Sequence, residues 1–136
     1  MSHQLTITVH PDRYAICRLD PGAAVPAWAG GADFLSVTRT PFELSVVCAD
    51  AMAPELAHAE RGRRLLQIEG TLAFALTGVL ASVAAPLAAA EISIFAVSTY
   101  DTDYLLVSEK DLSRATEVLE TAGHTIRQKN VNLNDR

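Results

Sequence analysis

The segments around Gly78 and Asp103 hold the residue types that bind small charged molecules. A helical pattern begins after Thr77-Gly78, so the first N–H groups of that helix would attract a carboxylate, and glycine permits close approach of a ligand to the backbone. Asp101 and Asp103 could face an ammonium group through charge-assisted hydrogen bonds. The two segments together therefore offer candidate sites for the negative and the positive group of a small molecule that carries both charges.

A structural role for the same residues is open as well. Thr77 could simply cap the helix, since threonine is a favoured N-cap residue. Asp101 and Asp103 flank a hairpin turn, where aspartate often bonds to its own backbone. Tyr100 and Tyr104 fit half-buried sheet positions better than a platform for a ligand.

Catalytic patterns are absent from the sequence. The histidines lie in terminal, turn or helix-end contexts without a triad signature, and a thiol catalyst made of Cys48 and His124 has no supporting motif. Glycine-rich phosphate loops are also missing. We therefore do not expect this protein to be an enzyme, and we expect neither a catalytic residue nor a cofactor. The four histidines are His3, His10, His58 and His124.

Cys17 and Cys48 are the two cysteines, and each lies in an apolar, strand-like run. Together with the lack of a signal peptide, this pattern predicts reduced, buried thiols in a cytoplasmic protein. A disulfide or a shared metal remains an alternative, but no CxxC or HxxxH pair accompanies them. The sequence thus predicts no metal site.

The composition fits one compact domain or two very small ones. The chain has 136 residues, 49% of them hydrophobic, and a formal net charge of -5, which argues against binding to nucleic acid or to an anionic membrane. The basic cluster of Arg61, Arg63 and Arg64 is typical of a solvated surface. Residues 71–90 carry no charge, but they are alanine-rich and include Pro86, so we do not expect them to span a membrane.

The C-terminal half shows alternating strand and helix patterns. Strands are predicted at 65–69, 92–98, 104–107 and 124–129, and a loop at 70–77. An apolar stripe predicts one helix after Gly78, and a second begins near Ser108 and ends before Gly123. Pro86 lies inside the first helix, where it removes the bond to the carbonyl of Ser82. The order βαββαβ is that of a ferredoxin-like sheet with two helices on one face.

The N-terminal half resembles a reduced copy of this arrangement. Strands at 5–9 and 14–19 predict an opening hairpin with a turn at 10–12, followed by a short helix at 26–29 and strands at 34–39 and 43–48. Placing residues 34–48 on 94–108, an offset of 60, aligns two valine pairs and the acids Glu43 and Asp103. The sequence therefore predicts a duplicated unit, with boundaries at 1–60 and 61–130 and a frayed tail at 131–136.

Residues 77–87 and 92–107 resemble the ACT domains of aspartokinases, and more closely the small tandem ACT proteins akin to eukaryotic cytosolic arginine sensors. The most specific stretch is Ser-Thr-Tyr-Asp-Thr-Asp-Tyr at 98–104. The resemblance implies an α+β fold of two tandem ACT-like (ferredoxin-like βαββαβ) halves, with antiparallel sheets and helices on one face. One departure is Glu91, which stands where the common pattern has glycine before the second strand.

The same resemblance implies a regulatory module that binds an amino acid or a related metabolite at the interface between the ACT halves. The alternative is a structural or protein-interaction module that dimerises without binding a ligand. We expect a homodimer, with a further protein partner as an option, and no contact with nucleic acid or membrane. The binding positions that carry over are Thr77, Gly78, Val79, Leu80, Asp101, Thr102 and Asp103.

Overall fold

The structure, a computed structural model, describes residues 3–70 and 77–129. These residues form two compact units. Unit 1 consists of the described residues up to Pro11 and from Arg64 onward, and unit 2 is Asp12–Arg63. The strands are β1 (Thr6–Leu19), β2 (Ser36–Arg39), β3 (Leu44–Ala49), β4 (Ala59–Ile68), β5 (Phe95–Ser98), β6 (Asp103–Ser108) and β7 (Thr125–Gln128), and the helices are α1 (Val79–Ala89) and α2 (Leu112–Thr121).

Unit 1 is a mixed sheet, with antiparallel and parallel strand pairs, that packs against α1 and α2. Its strand order is β5-β6-β4-β1-β7, in which β7 runs parallel to the first part of β1. Leu66 and Ile68 of β4 share one face of the sheet and pack with both helices. The helices bury their own stripes on this face, so the core lies between one sheet face and the helix pair. The fully buried residues of this core include Ile7, Val9, Val83, Leu87, Leu105, Val107, Ala115 and Leu119.

The predicted βαββαβ order of the C-terminal half is confirmed, with one addition. The elements follow as β4, α1, β5, β6, α2 and β7, but the first part of β1 lies between β4 and β7. Strand β1 is 14 residues long, so its two ends take part in different units. Four strands were expected in this half, and the described residues of unit 1 form five.

Unit 2 has the same connectivity without α-helices. Its strand order is β2-β3-β1-β4, and its helix positions hold 3₁₀ turns at Ala27–Ala29 and Asp50–Met52. The short helix expected at 26–29 is thus confirmed as a single turn. A small core of six buried residues fills this unit, namely Ala15, Cys17, Ala29, Leu44, Val46 and Cys48.

The opening hairpin predicted at residues 5–19 is wrong, because β1 runs through the expected turn at His10-Pro11-Asp12. Proline interrupts a strand when its missing N–H is needed by a neighbour. The pairing with β7 ends at Val9, and the pairing with β3 starts at Tyr14. Pro11 lies between these two ladders, so its lack of a donor costs little there.

The two units carry equivalent hairpins at an offset of 59, where 60 was predicted. Arg39 pairs with Leu44 in unit 2, and Ser98 pairs with Asp103 in unit 1. The 3₁₀ turns that follow start at Asp50 and at Glu109, which again differ by 59. The two hairpins are therefore equivalent, but the alignment shifts by one residue, so that Leu44 and not Glu43 corresponds to Asp103.

In the compact units the described residues up to Pro11 belong with the C-terminal part, and the boundaries of 1–60 and 61–130 stay a prediction. The predicted tail at 131–136 and most of the predicted loop at 70–77 lie outside the described residues. His3, the first described residue, has defined partners: its backbone N–H donates to Ser82 Oγ at 2.9 Å.

Candidate functional site

Helix α1 starts at a glycine in the left-handed region. Gly78 is the N-cap residue with φ of 80°, and no side chain caps the helix. The first helical bond runs from Ser82 N–H to Gly78 O at 3.0 Å, so the first-turn N–H groups before Ser82 precede the intrahelical ladder. The proposal that Thr77 caps the helix is wrong, and its side chain is exposed.

Val79 and Leu80 direct their side chains into the protein. Val79 is buried in the core of unit 1, and Leu80 is half-buried against the same core. Of the four predicted positions in this segment, Thr77 and Gly78 are exposed, Leu80 is half-buried and Val79 is buried.

The hairpin between β5 and β6 is closed by a threonine turn. Thr99 N–H donates to Thr102 O at 2.8 Å, and Thr102 N–H donates to Thr99 Oγ1 at 3.3 Å. Thr40 makes the equivalent bonds in unit 2, where its N–H donates to Glu43 O at 2.9 Å and its Oγ1 accepts from Glu43 N–H at 3.1 Å. This turn is thus part of the duplicated unit.

The three hairpin positions predicted to bind a ligand differ in their surroundings. Asp101 is exposed at the turn, and Asp103 is half-buried at the start of β6, opposite Ser98. Thr102 is 5% exposed and its hydroxyl donates to Ile68 O at 2.8 Å. The hydroxyl of Thr102 therefore holds the turn against β4 and is not free to bind a ligand.

The helix start and the hairpin turn lie at the same end of unit 1. Thr102 binds the last residue of β4, as described above, and the next residue, Glu69, donates its N–H to Thr6 O of β1 at 2.9 Å. His3, just before β1, donates from Nε2 to Thr77 O at 2.9 Å. Because β6 and β1 flank β4, the hairpin is tied to one side of the end of β4 and the helix start to the other.

Glu69 is a further carboxylate at this end of the sheet. One of its oxygens accepts the hydroxyl hydrogen of Thr8, and the other accepts from Arg127 Nη1 at 3.0 Å. Both oxygens are therefore engaged within the sheet. Of the acids at this end, Asp101 and Asp103 are the better candidates for an ammonium group.

Three residues that shape the helix start were not predicted from the sequence. His3 and Ser82 hold the first turn of α1, and His124 donates from Nε2 to Ser82 O at 2.8 Å. The only local signal was Pro86, which was predicted to free the carbonyl of Ser82. Nothing in the neighbouring sequence indicates that His124 binds this carbonyl or that His3 binds the hydroxyl of Ser82.

The clearest pKa shifts belong to the core of unit 2. Burial raises the pKa of Cys48 to about 11 and that of Tyr14 to about 12, and it also raises the pKa of Cys17. The two cysteines are buried, unoxidised and hydrogen-bonded to each other. Protonated, inaccessible thiols and phenols are poor nucleophiles, so these shifts reflect packing.

In the described parts of the chain, no three His, Cys, Asp or Glu side chains cluster in a way that could hold a metal ion. The same residues contain no candidate membrane-spanning helix, because neither α1 nor α2 has the length and apolar character to cross a bilayer.

Comparison with known proteins places this geometry in a family. A model described as ACT domain matches residues 58–121, and a model of an N-terminal domain matches residues 12–55. The crystal structure of an Agobacterium tumefaciens protein is 37% identical, with a TM-score of 0.90 over 96% of this chain and 98% of that one. Residues 58–121 of this chain are an ACT domain.

Two curated human proteins are similar in sequence to part of this chain. CASTOR3P is 32% identical over 101 residues, which are 65% of this chain and 62% of CASTOR3P. The cytosolic arginine sensor for mTORC1 subunit 1 is 41% identical over 58 residues, 42% of this chain and 18% of the sensor. The chain thus spans less than two-thirds of the curated relatives that it matches.

The fold also occurs in aspartate kinases. The Clostridium acetobutylicum enzyme matches with a TM-score of 0.64 and 12% identity, over 90% of this chain and 35% of the enzyme. At this identity the likeness shows the fold alone. The predicted resemblance to aspartokinase-type and arginine-sensor-like ACT proteins is confirmed.

Proposed function

We propose that this ACT protein is a regulatory module whose unit 1 binds a free amino acid or a closely related metabolite. The observation that carries the proposal is the start of α1. It has a left-handed glycine and no side-chain cap, and it lies at the same end of the sheet as the carboxylates of Asp101 and Asp103. The ACT domain and the kinship with a protein named as an arginine sensor support the same function.

The chemistry of such a site follows from these groups. The ligand carboxylate would accept hydrogen bonds from the first-turn N–H groups at residues 79–81, where the helix dipole favours negative charge. Gly78 has no side chain to obstruct the approach, and Thr77 could add its hydroxyl. Asp103, with Asp101 beside it, would face the ammonium group. This arrangement binds and releases a ligand and supplies no nucleophile paired with a base.

The identity of the amino acid is a narrower proposal. The 58-residue match to the arginine sensor makes L-arginine the first compound to test. Two acids near the hairpin turn would also suit a cationic ligand. The other standard amino acids follow in the same screen, because the backbone groups described above recognise only the part that all amino acids share.

We also propose that the protein is cytoplasmic and forms a homodimer. The two free, buried thiols suit a reducing compartment. Strand β5 is at the edge of the sheet in unit 1, and its Phe95 is partly exposed opposite Leu106. Edge strands with apolar residues are often covered by another chain. Sedimentation equilibrium would decide the assembly state.

Titration calorimetry of paired variants tests the binding proposal against the alternative of a pure dimerisation module. Asp103→Asn keeps the size of the side chain and removes its charge, and we expect it to weaken amino-acid binding by about tenfold or more. The control Thr38→Ser alters the face of a strand in unit 2 and should bind as the wild type does. Unchanged binding by Asp103→Asn would reject the role of this acid, and dimerisation without binding of any amino acid would favour the alternative.

A further inference from the structure

Pro86 leaves one carbonyl of α1 without its helical partner. In an α-helix each carbonyl accepts from the N–H four residues later, and the residue four positions after Ser82 is Pro86, which has no N–H. The carbonyl of Ser82 therefore needs a donor from elsewhere. A buried carbonyl without one would destabilise the folded state.

His124 supplies this donor. Its Nε2 lies 2.8 Å from Ser82 O, and its Nδ1 lies 3.1 Å from the backbone N of Leu5. Because a carbonyl only accepts and a backbone N–H only donates, Nε2 carries the hydrogen and Nδ1 does not. The two partners thus specify the neutral Nε2–H tautomer of a ring that is 5% exposed.

Ser82 is the point where three segments of unit 1 meet. Its carbonyl binds His124, which follows α2, and its hydroxyl donates to Gly78 O at 2.8 Å while accepting from His3 N–H. Thr125 N–H, next to His124, donates to Leu5 O at 2.9 Å. The first turn of α1 is therefore hydrogen-bonded directly to His3 and His124, and His124 is in turn bonded to Leu5.

We infer that Pro86 and His124 act as a pair, and that His124 is a positioning residue for the first turn of α1. The proline frees a carbonyl that an ordinary helix would use internally, and the histidine uses it to hold the helix start against the N-terminal segment. The second half of this inference rests on the proposed function, because the turn that is held contains the N–H groups assigned to the ligand carboxylate.

A double-mutant cycle in the free protein tests the pairing. His124→Ala leaves both the carbonyl of Ser82 and the N–H of Leu5 without partners, so we expect the melting temperature to fall by roughly 10 °C. In the background of Pro86→Ala, the new N–H can bond to Ser82 O, and the fall should be about half as large. An equal fall in both backgrounds would overturn the pairing.

His124→Gln provides the matched control. A glutamine amide can accept from Leu5 with its oxygen and donate to Ser82 with its nitrogen, so we expect it to restore most of the lost stability. The ¹⁵N spectrum of the wild-type ring reports the tautomer directly. Protonation at Nδ1 in place of Nε2 would contradict the assigned bonds.

Binding of L-arginine and the nineteen other standard amino acids, measured at 10 °C where all variants are folded, tests the positioning role. We expect His124→Ala to weaken the binding that the wild type shows by roughly tenfold, equivalent to the loss of one well-aligned hydrogen bond, and His124→Gln to stay within about twofold. Equal affinity of His124→Ala and wild type would overturn this role. If the wild type binds none of the amino acids, the proposed function and the positioning role both fail, while the stability cycle alone decides the pairing.

Discussion

The helix ends of unit 1 carry the same capping motif with different residues, and this difference predicts the effect of a substitution. At the end of α1, Ile92 N–H donates to Leu87 O at 2.9 Å and Glu91 N–H donates to Ala88 O at 3.0 Å, which is the Schellman pattern. Glu91 has φ of 59°, and among the described residues it is the one non-glycine residue with a positive φ. We predict that Glu91→Gly stabilises the protein.

The magnitude follows from two opposing effects. A residue with a side chain in the left-handed region loses roughly 1–2 kcal/mol relative to its preferred conformation, whereas glycine loses about 0.5–1 kcal/mol more backbone entropy on folding. The exposed carboxylate also lies at the negative end of the helix dipole, which costs a few tenths of a kcal/mol. We therefore expect the free energy of unfolding to rise by about 1 kcal/mol and the melting temperature by about 3 °C.

Urea unfolding of a small series separates these effects. Glu91→Gln removes the charge and keeps the left-handed side chain, so it should gain only the few tenths of a kcal/mol that come from the dipole. The end of α2 gives the reverse test, because Gly123 has φ of 102° in the same motif and Gly123→Ala should lose about 1 kcal/mol or more. Equal stability of Glu91→Gly and Glu91→Gln would refute the argument that the backbone of residue 91 is strained.

Three further outcomes follow from the described contacts. Above pH 9 the free energy of unfolding should fall by about 2 kcal/mol for each of Cys48 and Tyr14. Their pKa values are raised to about 11 and about 12 in the folded state, so these groups stay protonated there while they ionise in the unfolded chain. A flat stability profile from pH 9 to 12 would contradict this. Thr102→Val removes the hydroxyl that binds Ile68 O and should cost about 1–2 kcal/mol in urea unfolding, and no measurable cost would show that the bond is unimportant. Arg61→Ala removes donors to the carbonyls of residues 50, 53 and 54 and should speed amide exchange in that turn of unit 2, with unchanged exchange as the contrary result.

The order of elements in the C-terminal half could be predicted because each of its signals is local. The apolar stripe of α1 and the glycine at the end of α2 lie within a few residues of the features that they indicate. Boundaries that depend on neighbouring elements were less predictable. Ile92 was assigned to a strand, but it closes α1 through its bond to Leu87 and packs in the core, and β5 begins only at Phe95.

Long-range pairing accounts for the other differences. The continuous strand β1 depends on where β7 and β3 begin to pair, which Pro11 by itself does not reveal. The second helix was expected to begin near Ser108, but a 3₁₀ turn at Glu109–Asp111 comes first and α2 begins at Leu112. The candidate site shows the same limit: Gly78 and the hairpin acids could be identified from local sequence, whereas His3 and His124 reach the site from distant parts of the chain.

The most direct test of the proposed function is a thermal-shift screen of the wild-type protein against the twenty standard amino acids, with L-arginine first. A ligand at 100 times its dissociation constant stabilises the folded state by about 2.7 kcal/mol, which corresponds to a rise in melting temperature of roughly 9 °C for a chain of this size. We predict a rise of this order with at least one amino acid and a smaller one for Asp103→Asn. No shift with any of the twenty would contradict the assignment of amino-acid binding to this protein.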